Sequence, residues 1–305
     1  MPELLSGVLS PVVTPFDEEL NPDADRLAGQ CRWLLSQNVG LAVFGTNSEA
    51  NSMSVGEKTA LLDALAAARI DPARMMPGTG CCALTDTVVL TRHAVKLGCA
   101  GVLMLPPFYY KDVSDDGLYA SVAEVIERVG DPALRVYLYH IPPIAQVGYS
   151  ADLIERLINA YPGTVVGIKD SSGDWNNTLA MHERQWDDFR IFVGSESFLL
   201  ANMRAGGAGC ISATANVNPA AIDRLYRDWQ SDGADRLQEE LDTIRGTMMR
   251  WPMIPALKAT IAAWSGNDDW RRVRPPLVPL DEAGRSDLVA ALREKNFEMP
   301  GLYRG

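Results

Sequence analysis

Lys169 stands where an apolar run ends. The run before it, Thr164 to Ile168, carries four β-branched side chains and no charge, a composition that predicts a buried strand. An ammonium group leaving such a strand is costly to desolvate, so a lysine there gives up its proton more readily and can act as a nucleophilic amine. The competing reading is structural: a lysine that snorkels out of the strand end or pairs with Asp170. Other residues bear on the choice. Tyr139 and Thr46 end two earlier apolar runs, and Tyr110 follows a third. An amine can attack a ketone, a phenol can move protons during carbinolamine dehydration and carbon–carbon cleavage, and a threonine hydroxyl can relay them. Singly, each of these could be packing. Gathered at one mouth, they are a chemical set.

What could gather them is the order of elements. Strand-like runs occur at Gly7–Val13, Leu41–Gly45, Arg74–Pro77, Gly101–Leu105, Arg135–Tyr139, Thr164–Ile168, Arg190–Val193 and Gly209–Ser212. Helix-like segments separate them; one, Ser54–Ala68, opens with Ser54 and Glu57 in capping-box spacing. Eight strands, each followed by a helix, predict a (β/α)8 TIM barrel, whose chemistry lies at the C-terminal strand ends. An open doubly wound sheet is the rival, but no G-x-G-x-x-G follows the first run. In a barrel, neighbouring strands put Tyr139 beside Lys169. Val165, Gly167 and Lys169 share a face, and Gly167 is expected to leave room beside the lysine. The predicted barrel with its catalytic site spans residues 1–222; residues 223–305 read as a C-terminal helical appendage packed on it.

The composition limits the partners. The chain has 305 residues, 47% of them hydrophobic, and a formal charge of −11. That supports a large core and argues against nucleic acid. No uncharged apolar run approaches membrane-spanning length, and the start M-P-E-L-L-S-G lacks a signal-peptide pattern. Five cysteines without a C-x-x-C fit reduced, mostly buried thiols in a cytoplasm, with Cys81-Cys82 as a small apolar pair. Three scattered histidines suggest no metal.

The motifs G-T-N-S-E (45–49), P-P-F-Y-Y (106–110), Y-H-I-P (139–142), G-I-K-D (167–170) and G-C-I-S-A-T-A-N (209–216) follow in order. Together they resemble the dihydrodipicolinate synthase / N-acetylneuraminate lyase superfamily of class I, Schiff-base-forming aldolases. The resemblance runs from about Gly7 into the tail. It implies that Lys169 forms the imine with pyruvate or another 2-oxo acid, and that Tyr139 is the catalytic tyrosine beside it. Thr46 and Asn47 resemble the pair that holds the keto-acid carboxylate. Tyr110 resembles the tyrosine that crosses a tight dimer interface, and Ile211 the aliphatic residue packed against bound pyruvate. No cofactor is implied beyond the lysine imine, and the assembly expected is a homotetramer or homodimer.

Departures narrow the expectation. The family's carboxylate motif is usually G-T-T-G-E or G-S-T-G-E; Asn47 and Ser48 stand here instead. Asn47 still offers a hydrogen-bond donor. Dihydrodipicolinate synthases place an arginine five residues beyond the tyrosine to clamp the second substrate, whereas this chain has Ile144, which cannot replace a bidentate clamp. Sialate lyases use an acidic pair after the seventh strand to bind sugar hydroxyls; Gly194-Ser195-Glu196-Ser197 keeps only Glu196. The expected function is therefore a pyruvate lyase or aldolase acting on a small 4-hydroxy-2-oxo acid, or condensing pyruvate with an aldehyde. Alternatives are a dihydrodipicolinate synthase-like condensation, a 2-oxo-3-deoxy acid dehydratase or deaminase using the same imine, and a barrel that merely binds a keto acid.

Overall fold

A computed structural model describes residues 4–303. Parallel strands β1 (Gly7–Ser10), β2 (Gly40–Leu41), β3 (Val102–Met104), β4 (Val136–His140), β5 (Val165–Asp170), β6 (Arg190–Val193) and β7 (Gly209–Ile211) form one sheet, ordered β2-β1-β7-β6-β5-β4-β3. The run expected as a third strand lies between the two ends of that order and joins them. Met75 bridges Leu41, and Gly78 bridges Leu103, both in parallel. The Met76 amide donates to Leu41 O at 2.8 Å and the Leu103 amide to Pro77 O at 2.9 Å. Pro77 has no amide to give toward β3, so on that side the segment makes a single bridge instead of a continuous ladder. The sheet is nonetheless closed into a TIM-type barrel.

Two cores result. Inside the barrel, Leu9, Met76, Leu103, Tyr137, Phe192 and Ile211 pack together. A larger cluster fills the space between the sheet and its helices, where Leu34, Leu62, Leu157 and Ile222 are fully buried. Burying each such side chain stabilises the fold by roughly 1.5–3 kcal/mol. Gly167 and Gly101 flank the Tyr137 ring: a Cβ at either would lie 2.5 or 2.6 Å from it. Gly167 thus makes room for Tyr137, one layer below Lys169, and not for the lysine itself as the sequence suggests.

The helix expected over Ser54–Ala68 is observed one residue shorter at each end. Val55–Ala67 begins with the expected box, Glu57 N donating to Ser54 Oγ at 3.2 Å and Ser54 N to the Glu57 carboxylate at 2.8 Å. Residues 222 and 223 both fall inside the helix Pro219–Asp228, which packs against β1. Helices Ala234–Met248, Met253–Ser265 and Glu282–Arg293 follow it. Among the described residues no helix is long and apolar enough to cross a membrane. Cys31 and Cys210 are buried, but Cys81 and Cys99 are only partly so and Cys82 is exposed, so the expectation of mostly buried thiols needs correcting. Cys81 and Cys82 sit in the turn before the helix Leu84–Lys96, where the chain has already left the core.

Candidate active site

A register shift decides what meets at the mouth of the barrel. Val136 pairs with Val165, but Tyr137 pairs with Gly167, leaving Val166 out of the ladder. This one-residue offset turns the next side chains by one position. It sets Lys169 opposite Tyr139 on one side and opposite Phe192 on the other. Lys169 and Tyr139 are 2% and 4% exposed. The lysine Nζ lies 4.4 Å from the centroid of the Tyr139 ring. Tyr139 Oη and Thr46 Oγ1 are 3.2 Å apart, and either can donate.

Asp170 takes no part. Its side chain points to the opposite face, accepting from Ser172 N at 2.8 Å, Asn177 Nδ2 at 3.0 Å and Thr178 Oγ1 at 2.6 Å. The structural reading of Lys169 as the partner of Asp170 is therefore not what the fold displays. His140, next along β4, is also turned away. Its Nδ1 accepts from Tyr149 N at 3.0 Å, and burial holds its pKa below the ordinary histidine value.

The loop after β2 brings Thr46 and Asn47 in. Residues Thr46–Ser48 form one short turn. Its first amides, those of Thr46 and Asn47, donate to no acceptor among the described residues, as the opening residues of a helical turn must. Ser48 locks the turn: its Oγ accepts from Gly45 N at 3.1 Å, and its carbonyl accepts from Thr14 Oγ1 at 2.7 Å. Glu49 adopts a left-handed conformation, φ 57°. Its carboxylate receives Lys258 Nζ and the Arg274 amide, so the C-terminal helices hold the loop from behind.

A cleft of about 400 Å³ opens over these groups. Lys169, Tyr139, Thr46, Asn47 and Gly194 all line it. A Cβ at Gly194 would lie 1.9 Å from Ser171 Oγ, so a larger residue would crowd the mouth. The other expected site residues lie elsewhere. Ile211 is fully buried in the barrel interior. Glu196 is 1% exposed and takes bonds from Ser212 Oγ, Thr214 Oγ1 and Arg245 Nη1, the last at 2.8 Å. It stands behind the cleft wall and has no oxygen free for a sugar hydroxyl. Tyr110 is 72% exposed, stacked edge-on against Tyr109.

Arg245 is a cleft cation that the sequence reading does not find. It lies on the helix Ala234–Met248, outside the barrel's strand ends. A signal existed: positions 237, 241 and 245 fall at i, i+4 and i+8, so this arginine shares a face with buried Leu237 and Leu241. Ile141, Ile144, Phe198, Met249, Trp251 and Met253 supply the apolar part of the wall.

The Dihydrodipicolinate synthetase family model matches residues 4–295. The chain belongs to this family. Family members are carbon–carbon lyases, and this protein is an enzyme of that kind. An uncharacterized DapA-like lyase of Chloroflexus aurantiacus is 33% identical over 290 residues, covering 94% of each chain. The crystal structure of dihydrodipicolinate synthase from Agrobacterium tumefaciens superposes with a TM-score of 0.87 at 31% identity, covering 94% of this chain and 98% of that one. The prophage protein YagE of E. coli K12, solved in complex with pyruvate, shares the fold with a TM-score of 0.88 at 24% identity, covering 97% and 100%. The dihydrodipicolinate synthase fold thus extends over nearly the whole chain, C-terminal helices included.

Proposed function

We propose that this family member is a class I pyruvate lyase that binds its 2-oxo acid as an imine on Lys169. The observation that carries the reading is the row of groups at the cleft floor: a buried amine over the Tyr139 ring, and the phenol within hydrogen-bond reach of Thr46. Attack of the neutral amine on the keto carbon gives a carbinolamine, and loss of water gives the imine. The imine then takes up the electron pair released when the carbon–carbon bond breaks. Tyr139 moves the protons, with Thr46 as the next station. The unpartnered amides of Thr46 and Asn47, with the Asn47 side chain, suit the keto-acid carboxylate. A keto-acid-binding barrel without chemistry would need neither the amine nor the relay.

The substrate in this reading is a small 4-hydroxy-2-oxo acid, or pyruvate and an aldehyde in the condensing direction. Dihydrodipicolinate synthase-like condensation is the second reading, favoured by the family match and by the likeness to the Agrobacterium tumefaciens synthase, while the aliphatic Ile144 at the cleft rim speaks against it. In this reading Tyr110, exposed on the loop after β3, completes the relay of a neighbouring copy in a dimer or tetramer. The setting proposed is the cytoplasm.

Trapping tests the reading. Incubation with pyruvate and borohydride, followed by mass spectrometry, is expected to add a reduced three-carbon acid to Lys169. An unmodified Lys169 at saturating pyruvate would sink it. Pyruvate release from candidate 2-oxo acids then separates cleavage from dehydration.

A further inference from the structure

Arg245 has more donors than its partners use. Its Nη1 donates to Glu196 at 2.8 Å and to Ser212 Oγ at 3.2 Å. Its Nε and Nη2 have no hydrogen-bond partner among the described residues and are not fully buried, and Arg245 lines the cleft. The side chain is only 16% exposed, and the Glu196 side chain 2%. Glu196 is itself fixed by Ser212 and Thr214, so it holds the guanidinium in one orientation. A guanidinium is always charged, and its planar edge of donors fits a carboxylate or phosphate.

The rest of the wall says what lies between. Neither carboxylate near the cleft is free: Asp170 is satisfied on the far face, and Glu196 by Arg245 and two hydroxyls. Beyond the small hydroxyls of Ser171 and Ser195, most of the remaining lining is apolar, with Ile144, Phe198, Met249, Trp251 and Met253 among it. A polyhydroxylated chain would lose its water there without gaining enough partners. A short, largely apolar chain ending in an anion would not.

We propose that Arg245 is a specificity-determining residue that binds an anionic group at the far end of the aldehyde half of the substrate. The substrate class is then a 4-hydroxy-2-oxo acid with a second, terminal anion and few hydroxyls between. This rests on the Lys169 imine reading and deepens it. It also gives the cleft a cation that Ile144 does not supply, reached from the C-terminal helices instead of from the loop after β4.

The test compares pyruvate consumption with three aldehydes: succinic semialdehyde, glyceraldehyde 3-phosphate and neutral butanal. The wild type is expected to prefer at least one anionic aldehyde to butanal by about 10- to 100-fold in kcat/KM, the range for a charge-assisted hydrogen bond. The preferred one tells carboxylate from phosphate. Arg245→Gln is expected to bring that ratio close to one, mainly through KM. Because this variant leaves Glu196 buried without a counter-charge, the double variant Glu196→Gln/Arg245→Gln is run beside it and is expected to show the same collapse. A wild type that treats butanal like the anions, or a preference that survives in a folded variant, overturns the inference. Borohydride trapping on the wild type separates the two levels. A Lys169 adduct without anion preference sinks this inference alone, whereas no adduct sinks the imine reading and this inference with it.

Discussion

Glu49 and Lys258, 209 positions apart, form an ion pair in which neither side chain reaches solvent. Glu49 belongs to the turn that carries Thr46 and Asn47, and Lys258 to the helix Met253–Ser265. The lysine also donates to Arg272 O at 2.6 Å, while the second Glu49 oxygen accepts the Arg274 amide at 2.8 Å. The C-terminal region therefore ties down the loop that carries Thr46 and Asn47. This pair is a structural cost as well as a clamp, because two charges have been taken out of water.

Lys258→Met should leave the Glu49 carboxylate buried without a counter-charge, at a cost of about 3–5 kcal/mol. Urea unfolding is the measurement. Glu49→Gln/Lys258→Met should recover most of that loss while the KM for pyruvate stays raised, since the loop has lost its tether. Full recovery of KM in the double variant would show that the pair does not position the loop.

Gly167→Ala places a methyl group 2.5 Å from the Tyr137 ring and 2.6 Å from Arg190 O. Backbone cannot retreat within a paired strand, so overpacking is expected to cost about 1–3 kcal/mol. Thermal melting should show this without a change in the kind of product formed. A neutral outcome would mean that Tyr137 can tilt away within the barrel.

Acid should find a weak point where the C-terminal arm meets the second barrel helix. The Arg274 guanidinium bonds the Glu57 carboxylate and holds its pKa down to about 2. A carboxylate with a depressed folded pKa contributes stability that is fully present above its unfolded value of about 4.3 and disappears as pH falls toward 2. Melting temperature should therefore drop across that window, and Glu57→Gln should flatten this part of the profile. An unchanged slope in the variant would assign the acid sensitivity to other carboxylates.

How much of this was readable in advance varies from residue to residue. Lys169 and Tyr139 could be placed because strand composition and strand order are local and ordinal signals, and a barrel converts them into adjacency. The bulge at Val166 could not be read. Without it Lys169 would face His140, and no feature of V-Y-L-Y-H or V-V-G-I-K-D announces a one-residue offset. The sequence points to Gly167 as making room, but the neighbour it serves is set by that same offset. Glu196 and Arg245 were harder still. The sequence shows an acid after a strand; only the docking of the helix Ala234–Met248 turns that acid into the anchor of an arginine 49 positions away.

The relay itself gives the most direct prediction. Tyr139→Phe retains the ring over Lys169 and removes only the hydroxyl that lies 3.2 Å from Thr46 Oγ1. Imine formation passes through proton transfers, but borohydride traps whatever imine accumulates at equilibrium, so slow formation still ends in an adduct. Turnover has no such escape, because each cycle must move protons at the rate the relay allows. The variant should therefore still be trapped on Lys169 with pyruvate, while kcat for cleavage falls by about 10²- to 10⁴-fold, the usual contribution of a positioned acid–base group. Thr46→Val should cause a smaller fall, since water can stand in as the second station but not as the first. If Tyr139→Phe turns over normally, the protons travel by another route, and the contact between Tyr139 and Thr46 is packing.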